Sequence, residues 1–553
     1  MLHDKELRAW LSLAIPSGLR SLLELLPWLC SLSMLGRVGT RELSALSLTE
    51  TWIYGWMTIS WTGMSITQST LISQAHGARR IGSMRAWAIL SFTSSLLLAF
   101  IVGGAWFAAP YALDSFGFDP VLVELATSYT YAAMPILFLE TFNICVSIYL
   151  MAMQVALLPL AVGAFTALVD VVASYLLIFG ADPEIPRLSN SLRGAGLGWT
   201  IGATATVIAN LFVLRWAFGR ELDYGTSDIE EEEDERARNC EEDLIHERVD
   251  NVEEVIDESI QSSRGENLTS DDSMAAPLLV LHSPKSIHTG YSIHSTLSSP
   301  RPITGGVDSP FLSSPWLALL SYKHWRIFLT QLIPNIGVVT VATLQYTIVS
   351  FLAASLGTTE IAAHNCLICL FEIVHTSSIG MAEATSIRIG SHLGRGDSRG
   401  ALRTAQIALI AASSLGVLIA SLGWFLHSYV ARIFTDDPAV LAEASTLRSL
   451  MWAGFALLAV GDAGGGVLEG QGQNGGQAVA AIVGIFVCIP LAVVSAHLTS
   501  FGLRGLWGAM LIGYFFVDLI VIAFIFFSNW EKLAIDAAQT AARGEEGEEG
   551  DVF

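Results

Sequence analysis

The chain has 553 residues, of which 52% are hydrophobic and only 14% are charged, whereas soluble domains usually carry nearer a quarter charged residues. The formal net charge is -22, but the carboxylates are concentrated in residues 229–272 and 545–551. An acidic chain without clustered Lys and Arg excludes a nucleic-acid partner, because phosphate binding needs positive charge. The composition therefore predicts a protein whose main body is solvated by a lipid bilayer.

Twelve mostly apolar stretches, each long enough to cross a bilayer core, recur along the chain. They cover residues 10–35, 46–72, 86–109, 121–149, 156–180 and 195–217, then 325–354, 361–389, 401–426, 440–468, 478–500 and 506–527. The first is not a cleavable signal, because Arg20 and Glu24 interrupt it. We expect an all-α integral membrane protein with six-helix bundles in residues 1–220 and 316–530.

Two segments fall outside the bundles. Residues 221–315 form a linker that is first acidic and then rich in Ser, Pro and Gly, and such composition is expected to be disordered. Four Ser-Pro steps in it are either phosphorylation sites or ordinary linker residues: Ser283, Ser299, Ser309 and Ser314. Residues 531–553 form an acidic tail.

The Lys and Arg residues predict the orientation. Loops on the side of the two termini carry about twice as many of them as loops on the other side, and positive loops stay in the cytoplasm. We therefore expect both termini and the 221–315 linker to be cytoplasmic. The sequence does not distinguish the plasma membrane from the vacuolar membrane.

The two bundles are sequence repeats. Pro334 follows Pro16, and Gly357 follows Gly39, by 318 residues (357 minus 39), while Gly394 follows Gly77 by 317. Both copies contain six spans, so both begin on the same side of the membrane and the repeats are parallel. We expect a V-shaped arrangement with a central cleft between the bundles.

Five motifs are distributed over the two halves: Leu35-Gly-Arg-Val-Gly-Thr-Arg-Glu-Leu-Ser-Ala, Gln74-Ala-His-Gly-Ala, Ile361-Ala-Ala-His, Ser386-Ile-Arg-Ile-Gly-Ser-His-Leu-Gly-Arg-Gly-Asp and Gly466-Val-Leu-Glu-Gly-Gln-Gly-Gln. Together they resemble the motifs of the multidrug and toxic compound extrusion (MATE) transporters, eukaryotic branch. The resemblance implies proton- or sodium-driven export of organic cations or other xenobiotics. Where many eukaryotic members carry glutamates in the seventh span, this chain has Ala342 and Thr347, so the coupling residues cannot simply be copied from the family.

Ionisable groups inside apolar spans are costly and are therefore candidates for ion coupling. In the first bundle these are Glu24, Glu140 and Asp170. Glu24 follows Arg20 by one helical turn, so the alternative is simple mutual neutralisation. For Asp170 the alternative is a structural hydrogen bond between helices.

The second bundle carries more candidates. Glu372, His375 and Glu383 fall on one face of a helix and could relay protons. The alternative for Glu383 is that it meets water or Arg388 near a helix end. Asp462 lies in a glycine-rich stretch, on the same helix face as Glu469.

Large polar and aromatic side chains complete the expected cavity, with Trp52, Trp56, Gln345 and Tyr346 as weaker candidates for substrate contact. The alternative for the tryptophans is a place in the interfacial belt.

These features predict a transporter, not an enzyme, that exchanges a small organic cation or metabolite for protons rather than sodium. We expect it to work as a monomer in the bilayer without a cofactor. The alternatives are a major-facilitator-type transporter and a flippase for lipids or oligosaccharides. The CxxC of Cys366 and Cys369 lies in an apolar stretch, where metal or redox chemistry is not expected.

Overall fold

A computed structural model of the chain describes residues 5–115, 120–180, 192–215, 319, 321–432 and 437–544. Within these ranges helices and short connections account for all residues, and no strand occurs. The predicted linker at 221–315 and residues 545–553 of the predicted tail lie outside the described residues. The domain boundaries remain predictions.

Sixteen helices are described, eight in each half. The first half contains α1 (Lys5–Val38), α2 (Thr40–Gly77), α3 (Ile81–Phe107), α4 (Ala109–Ser115), α5 (Pro120–Ala133), α6 (Ile136–Ala152), α7 (Leu157–Phe179) and α8 (Leu192–Arg215). The second contains α9 (Tyr322–Leu356), α10 (Thr358–Gly394), α11 (Ser398–Ala431), α12 (Pro438–Thr446), α13 (Arg448–Gly470), α14 (Asn474–His497), α15 (Gly502–Phe526) and α16 (Trp530–Arg543).

The predicted membrane fold is confirmed, because each of the twelve predicted spans coincides with a helix or a bent helix pair. In the described part of the chain, ten segments are long and apolar enough to cross a membrane, and α5 with α6, bent by 45°, makes an eleventh. The bend lies at Pro135, which has no backbone N–H to continue the helical ladder. The remaining predicted span is α2, which is 38 residues long but rich in Ser, Thr and Gln.

Large apolar side chains cover the outer surface of the helices. Phe212 is 70% exposed and Phe486 is 75% exposed, which would be unfavourable in water but suits contact with acyl chains. Helices satisfy their own backbone hydrogen bonds, as a segment inside a bilayer must. The protein is therefore an integral membrane protein.

The buried apolar side chains form some clusters that span both halves of the chain and others that belong to one half. One cluster joins the halves by packing Trp10 and Met151 against Met381 and Ile387, and a second does so by packing Trp87 against Phe328. Two further clusters are each drawn from a single half, around Trp106 and Trp507. The halves thus meet at one end, here called the joined end, and separate toward the other, the open end.

Glycines set the contact at the joined end. A Cβ on Gly77 would overlap the backbone of Ser391, and a Cβ on Gly394 would overlap the backbone of Gln74. Gly394 follows Gly77, and Ser391 follows Gln74, by 317 residues. The two contacts are therefore equivalent under the sequence repeat, and each needs a residue without a side chain.

Two helix crossings lie midway along the bundle. Helices α1 and α10 cross where Gly380 touches the backbone of Gly18, and α2 and α9 cross where Gly63 faces Ile336. A Cβ on Gly63 would lie 2.9 Å from Cγ1 of Ile336. These crossings, which are also related by the repeat, form the floor of a cleft that opens toward the open end.

Charged side chains reinforce the joined end. Arg388 on α10 binds Glu6 on α1 at 2.5 Å and donates to Oε1 of Gln154, which follows α6, at 2.8 Å. His392 lies 3.2 Å from Glu6 and 2.8 Å from Asp397. The hydrogen bond with His392 holds the pKa of Asp397, in the α10–α11 turn, below its usual range. One network thus ties both halves together.

The predicted tail begins with an amphipathic helix. Asn529 caps α16 by accepting a hydrogen bond from the backbone N–H of Lys532 at 3.0 Å. Its Ala534, Ala537 and Ala541 are buried, and Ser83 on the first half donates to the carbonyl of Ala541 at 2.6 Å. The helix contacts α10 and α11 as well as α2 and α3, so it touches both halves at the joined end.

We expect Gly394→Ala to lower the apparent melting temperature of the purified protein by several degrees. The added methyl group meets the backbone of Gln74, and overpacking of this kind typically costs about 1–3 kcal/mol. Gly337→Ala in α9 is the matched control, because nothing lies within 4 Å of its added Cβ. Thermal melts at one heating rate measure both, and equal melting temperatures would contradict glycine-dependent packing.

Candidate functional site

Three candidate side chains of the second half form one cluster. Nε2 of His375 on α10 lies 3.1 Å from Oδ2 of Asp462 on α13, and its Nδ1 lies 3.6 Å from Oε2 of Glu372. The first separation is that of an ion pair, while the second is too long for a direct hydrogen bond. Glu372 keeps 41% of its side-chain surface exposed. The cluster lies on the open side of the Gly18–Gly380 crossing, toward the N-terminus of α10.

Glu383 does not join this cluster. It lies on α10 near the crossing and accepts a hydrogen bond from Ser17 of α1. Nη2 of Arg20, also on α1, lies 3.3 Å from its Oε2. Arg388, the partner considered in the alternative for Glu383, is held by Glu6 farther toward the joined end.

Glu24 is paired with Arg20 but remains accessible. Nη1 of Arg20 donates to Oε1 of Glu24 at 2.9 Å, one turn along α1. The Glu24 side chain is 48% exposed, whereas that of Arg20 is 13% exposed. Arg20 therefore connects an exposed carboxylate on the open side of the floor with a buried one, Glu383, across the two halves.

Glu140 belongs to a polar seam inside the first half. Oε2 of Glu140 on α6 accepts from Nδ2 of Asn143 at 2.8 Å, and Oδ1 of Asn143 accepts from Nδ2 of Asn210 on α8 at 2.8 Å. Both amides are thereby oriented, and they link two helices. The seam holds the Glu140 carboxyl group in a fixed position between α6 and α8.

Asp170 is enclosed to a greater degree than the other candidates. It is 4% exposed on α7, accepts from Ser174 at 3.1 Å and packs against Gly202 of α8, whose added Cβ would lie 2.8 Å from its Cβ. The hydrogen bond with Ser174 stays within α7, and the contact with α8 is close packing against Gly202. Glu140 and Asp170 therefore have different surroundings despite lying in the same bundle.

The weaker cavity candidates are scattered. The Trp52 side chain lies outside the described residues, Trp56 is exposed, and Gln345 is partly buried. The hydroxyl group of Tyr346 on α9 lies 2.8 Å from that of Tyr514 on α15. Tyr346 is thus tied to the wall of the second half, close to the cluster of Glu372, His375 and Asp462.

Sequence reasoning missed Asp518 and the asparagine seam. Asp518 on α15 is 6% exposed, and a Cβ on Gly461 would overlap its carboxylate. A lone carboxylate in the apolar run of α15 was the available signal. Asn143 and Asn210 gave no such signal, because uncharged amides in a membrane span do not stand out by composition.

The described residues contain no group of three or more His, Cys, Asp or Glu side chains placed to hold a metal ion. Cys366 and Cys369 are free, as are the other described cysteines. The ionisable side chains described above include the carboxylates and His375. Such a set can bind and release protons or small cations reversibly.

The sequence profile of the MatE family matches this chain twice, at residues 16–176 and 334–494. The start points and the end points of the two matches differ by the same 318 residues (334 minus 16, 494 minus 176). The profile thus recovers the internal repeat independently of the motifs. Together the two matches cover more than half of the chain.

Individual relatives and structures agree with this match. Human multidrug and toxin extrusion protein 1 is 28% identical over 221 residues, which are 40% of this chain and 39% of the human protein. The rabbit (Oryctolagus cuniculus) protein of the same name is 21% identical over 536 residues, 96% of this chain and 76% of that protein. The crystal structure of the eukaryotic MATE transporter AtDTX14 superimposes with a TM-score of 0.70 at 15% identity, covering 97% of this chain and 99% of that one.

The first alignment spans about two fifths of the human relative, and the structural likeness at this identity concerns the fold. The family match decides against the major-facilitator-type alternative, since both halves carry the MatE pattern. The duplicated profile, the motifs and the two-bundle fold lead to one assignment: the chain belongs to the MatE family.

Proposed function

We propose that this protein is a secondary active transporter that exports small organic cations or related metabolites in exchange for protons. The observation that carries this proposal is the cluster of Glu372, His375 and Asp462 on the open side of the crossings. Two carboxylates beside one imidazole give a site whose charge depends on bound protons. The names of the human and rabbit relatives, multidrug and toxin extrusion protein 1, support export as the direction.

Competition between protons and cargo would couple the two fluxes. A deprotonated cluster is negative and attracts an organic cation, while a protonated cluster is closer to neutral and releases it. A ligand shifts a conformational equilibrium only by its differential affinity for the two states. Protons and cargo that bind the same groups alternately would therefore drive the exchange.

His375 favours protons over sodium as the coupling ion. An imidazole ring can bind and release a proton at either nitrogen, and that of His375 lies between the two carboxylates, with Nε2 toward Asp462 and Nδ1 toward Glu372. Hard cations are held by oxygen ligands, and the histidine takes the place of one. Reversible binding of protons and cargo, rather than catalysis, is the chemistry this cluster suits.

The orientation follows from the excess of Lys and Arg on the side of the termini. We place both termini, the linker and the joined end in the cytoplasm. The conformation described is then open to the outside or to the vacuolar lumen. One chain supplies both walls of the cleft, so a monomer suffices.

Reconstituted protein in liposomes is expected to accumulate labelled tetraethylammonium when the lumen is acidic. Asp462→Asn should lower the initial rate at least about tenfold, within the usual range of coupling energies, because one proton-binding group of the cluster is lost. Glu360→Gln, a carboxylate at the start of α10 away from the cluster, should stay within about twofold of wild type. Uptake that needs a sodium gradient and ignores the pH gradient would exclude proton exchange.

Binding of the probe tetraphenylphosphonium is expected to weaken as pH falls, because protons and the probe compete for the same carboxylates. The double variant Glu372→Gln/Asp462→Asn should bind weakly and with little pH dependence. Titration calorimetry in detergent from pH 8 to pH 5 measures both. An affinity for the probe that is independent of pH in the wild type would contradict competition at this site.

A further inference from the structure

The two helix crossings at the floor of the cleft are equivalent by the repeat but differ in charge. Adding 318 to the numbers of Ser17 and Arg20 gives Asn335 and Val338, and subtracting 317 from that of Glu383 gives Ile66. At one crossing Asn335 donates to Thr67 at 2.9 Å, a neutral contact. At the other crossing the halves meet through an ion pair.

This difference is informative because the neutral crossing is also tightly packed. Asn335 and Thr67 are both fully buried, so contact between the halves does not require ionised groups. Burying ions costs free energy unless their geometry is favourable. The ion pair of Arg20 and Glu383 therefore calls for a role other than adhesion.

The geometry of Arg20 shows one cation shared unequally between two carboxylates. Its Nη1 lies 2.9 Å from Glu24, while its Nη2 lies 3.3 and 3.4 Å from the two oxygens of Glu383. Hydrogen bonds between ions are usually 2.7–2.9 Å long. The bond to Glu24 is thus of ordinary length, whereas the bond across the two halves is stretched.

The surroundings limit where Arg20 can move. Its aliphatic stem lies against α7, where a Cβ on Gly163 would be 3.5 Å from Cγ of Arg20. Its buried Nε has no hydrogen-bond partner among the described residues. From the other packed helices, Glu140 on α6 acts electrostatically on Arg20, and Glu469 on α13 interacts with Glu383.

We propose that Arg20 is a positioning residue that transmits the charge of Glu24 to the contact between the two halves at Glu383. When Glu24 is ionised, it holds Arg20 within the first half. When a proton or a bound cation neutralises Glu24, Arg20 loses that partner and moves closer to Glu383. The joined end is then stabilised, and the cleft stays open at the other end.

This inference rests on the proposed function, since it treats Glu24 as a site that a transported ion neutralises. It adds Arg20 as a physical link between the accessible carboxylate of Glu24 and the helix crossing at Glu383. Glu24 lies on the open side of the crossing with about half of its side chain exposed, so a proton or cation entering the cleft can reach it. Glu383 lies behind it, between α1 and α10.

The test measures how often the joined end separates. Ser73 on α2 is fully buried and lies against Gly390 of α10, so a cysteine there reacts only when the halves part. The six native cysteines are replaced, and the labelling rate of Ser73→Cys by a small maleimide is followed in nanodiscs. No substrate or gradient is needed.

Glu24→Gln, which mimics the neutral state, is expected to slow labelling at least about fivefold, and Glu383→Gln to accelerate it by a similar factor. In the Glu383→Gln background, Glu24→Gln should change the rate less than about twofold, because the link through Arg20 is broken. Glu360→Gln, at the far end of α10, is the charge-removal control and should leave the rate unchanged. Arg20→Lys should accelerate labelling and abolish the response to Glu24→Gln, since an ammonium group lacks the guanidinium fork.

An equal effect of Glu24→Gln with and without Glu383 would overturn the inference. So would a response to Glu24→Gln that survives in Arg20→Lys, which keeps the test decisive if Glu383→Gln folds poorly. If the labelling rates of the variants behave as expected but liposomes show no proton-driven flux, only the proposed function is rejected. If proton-driven flux is intact but the effects of Glu24→Gln and Glu383→Gln on the labelling rate are additive, only the role of Arg20 is rejected.

Discussion

The close approach of α2 and α10 at Gly77 and Gly394 is the constraint on which the rest of the molecule depends. Each glycine touches backbone of the opposite half, so the two bundles meet with almost no side chain between them. Contacts of this kind suit a membrane protein, where small residues let helix backbones approach and the hydrophobic effect adds little between helices. Contact confined to one end leaves the other free to diverge.

Because the halves diverge toward the open end, the acidic side chains differ in their exposure. Glu24 and Glu372 lie on the open side of the crossings and keep much of their side-chain surface exposed, whereas Glu383 lies at the floor. The duplicated architecture makes the asymmetry visible, because one crossing is neutral through Asn335 and Thr67 while the other contains Arg20 and Glu383. A repeat that supplies two equivalent contacts allows one of them to become charged while the other maintains adhesion.

The fold was accessible from sequence because each span is a long apolar run and because the repeat offset is carried by glycines and prolines. Pro16 with Pro334 gave the same 318-residue register that the MatE profile gives, and Gly77 with Gly394 differs from it by one residue. The breaks within the fourth and tenth spans, at Pro135 and Leu447, were less apparent. Hydropathy averages over such breaks, and so each of these interrupted stretches was predicted as a single span.

The partners of the acids were less predictable. Helical periodicity placed Glu372 and His375 on one helix face, and in the structure the two side chains are 3.6 Å apart on α10. It could not show that Asp462 from α13 completes that cluster or that Glu383 turns to α1, because these contacts depend on which helices become neighbours. The network of Glu6, Arg388 and His392 was not predicted for the same reason, because Glu6 is more than 380 residues from its two partners. Long-range pairing of this kind leaves no periodic trace in one sequence.

The central claim is that a water-filled cleft, and not lipid, surrounds the accessible acids. Its most direct test is the labelling rate of single cysteines at positions 24 and 372 by a charged, membrane-impermeant thiol reagent, compared with cysteines at Ile101 and Val417. The latter two are at least as exposed as the acids but lie on the outer surface. The account predicts rapid labelling at 24 and 372 and protection at 101 and 417. Equal protection at all four positions would show that the acids face acyl chains, and would contradict it.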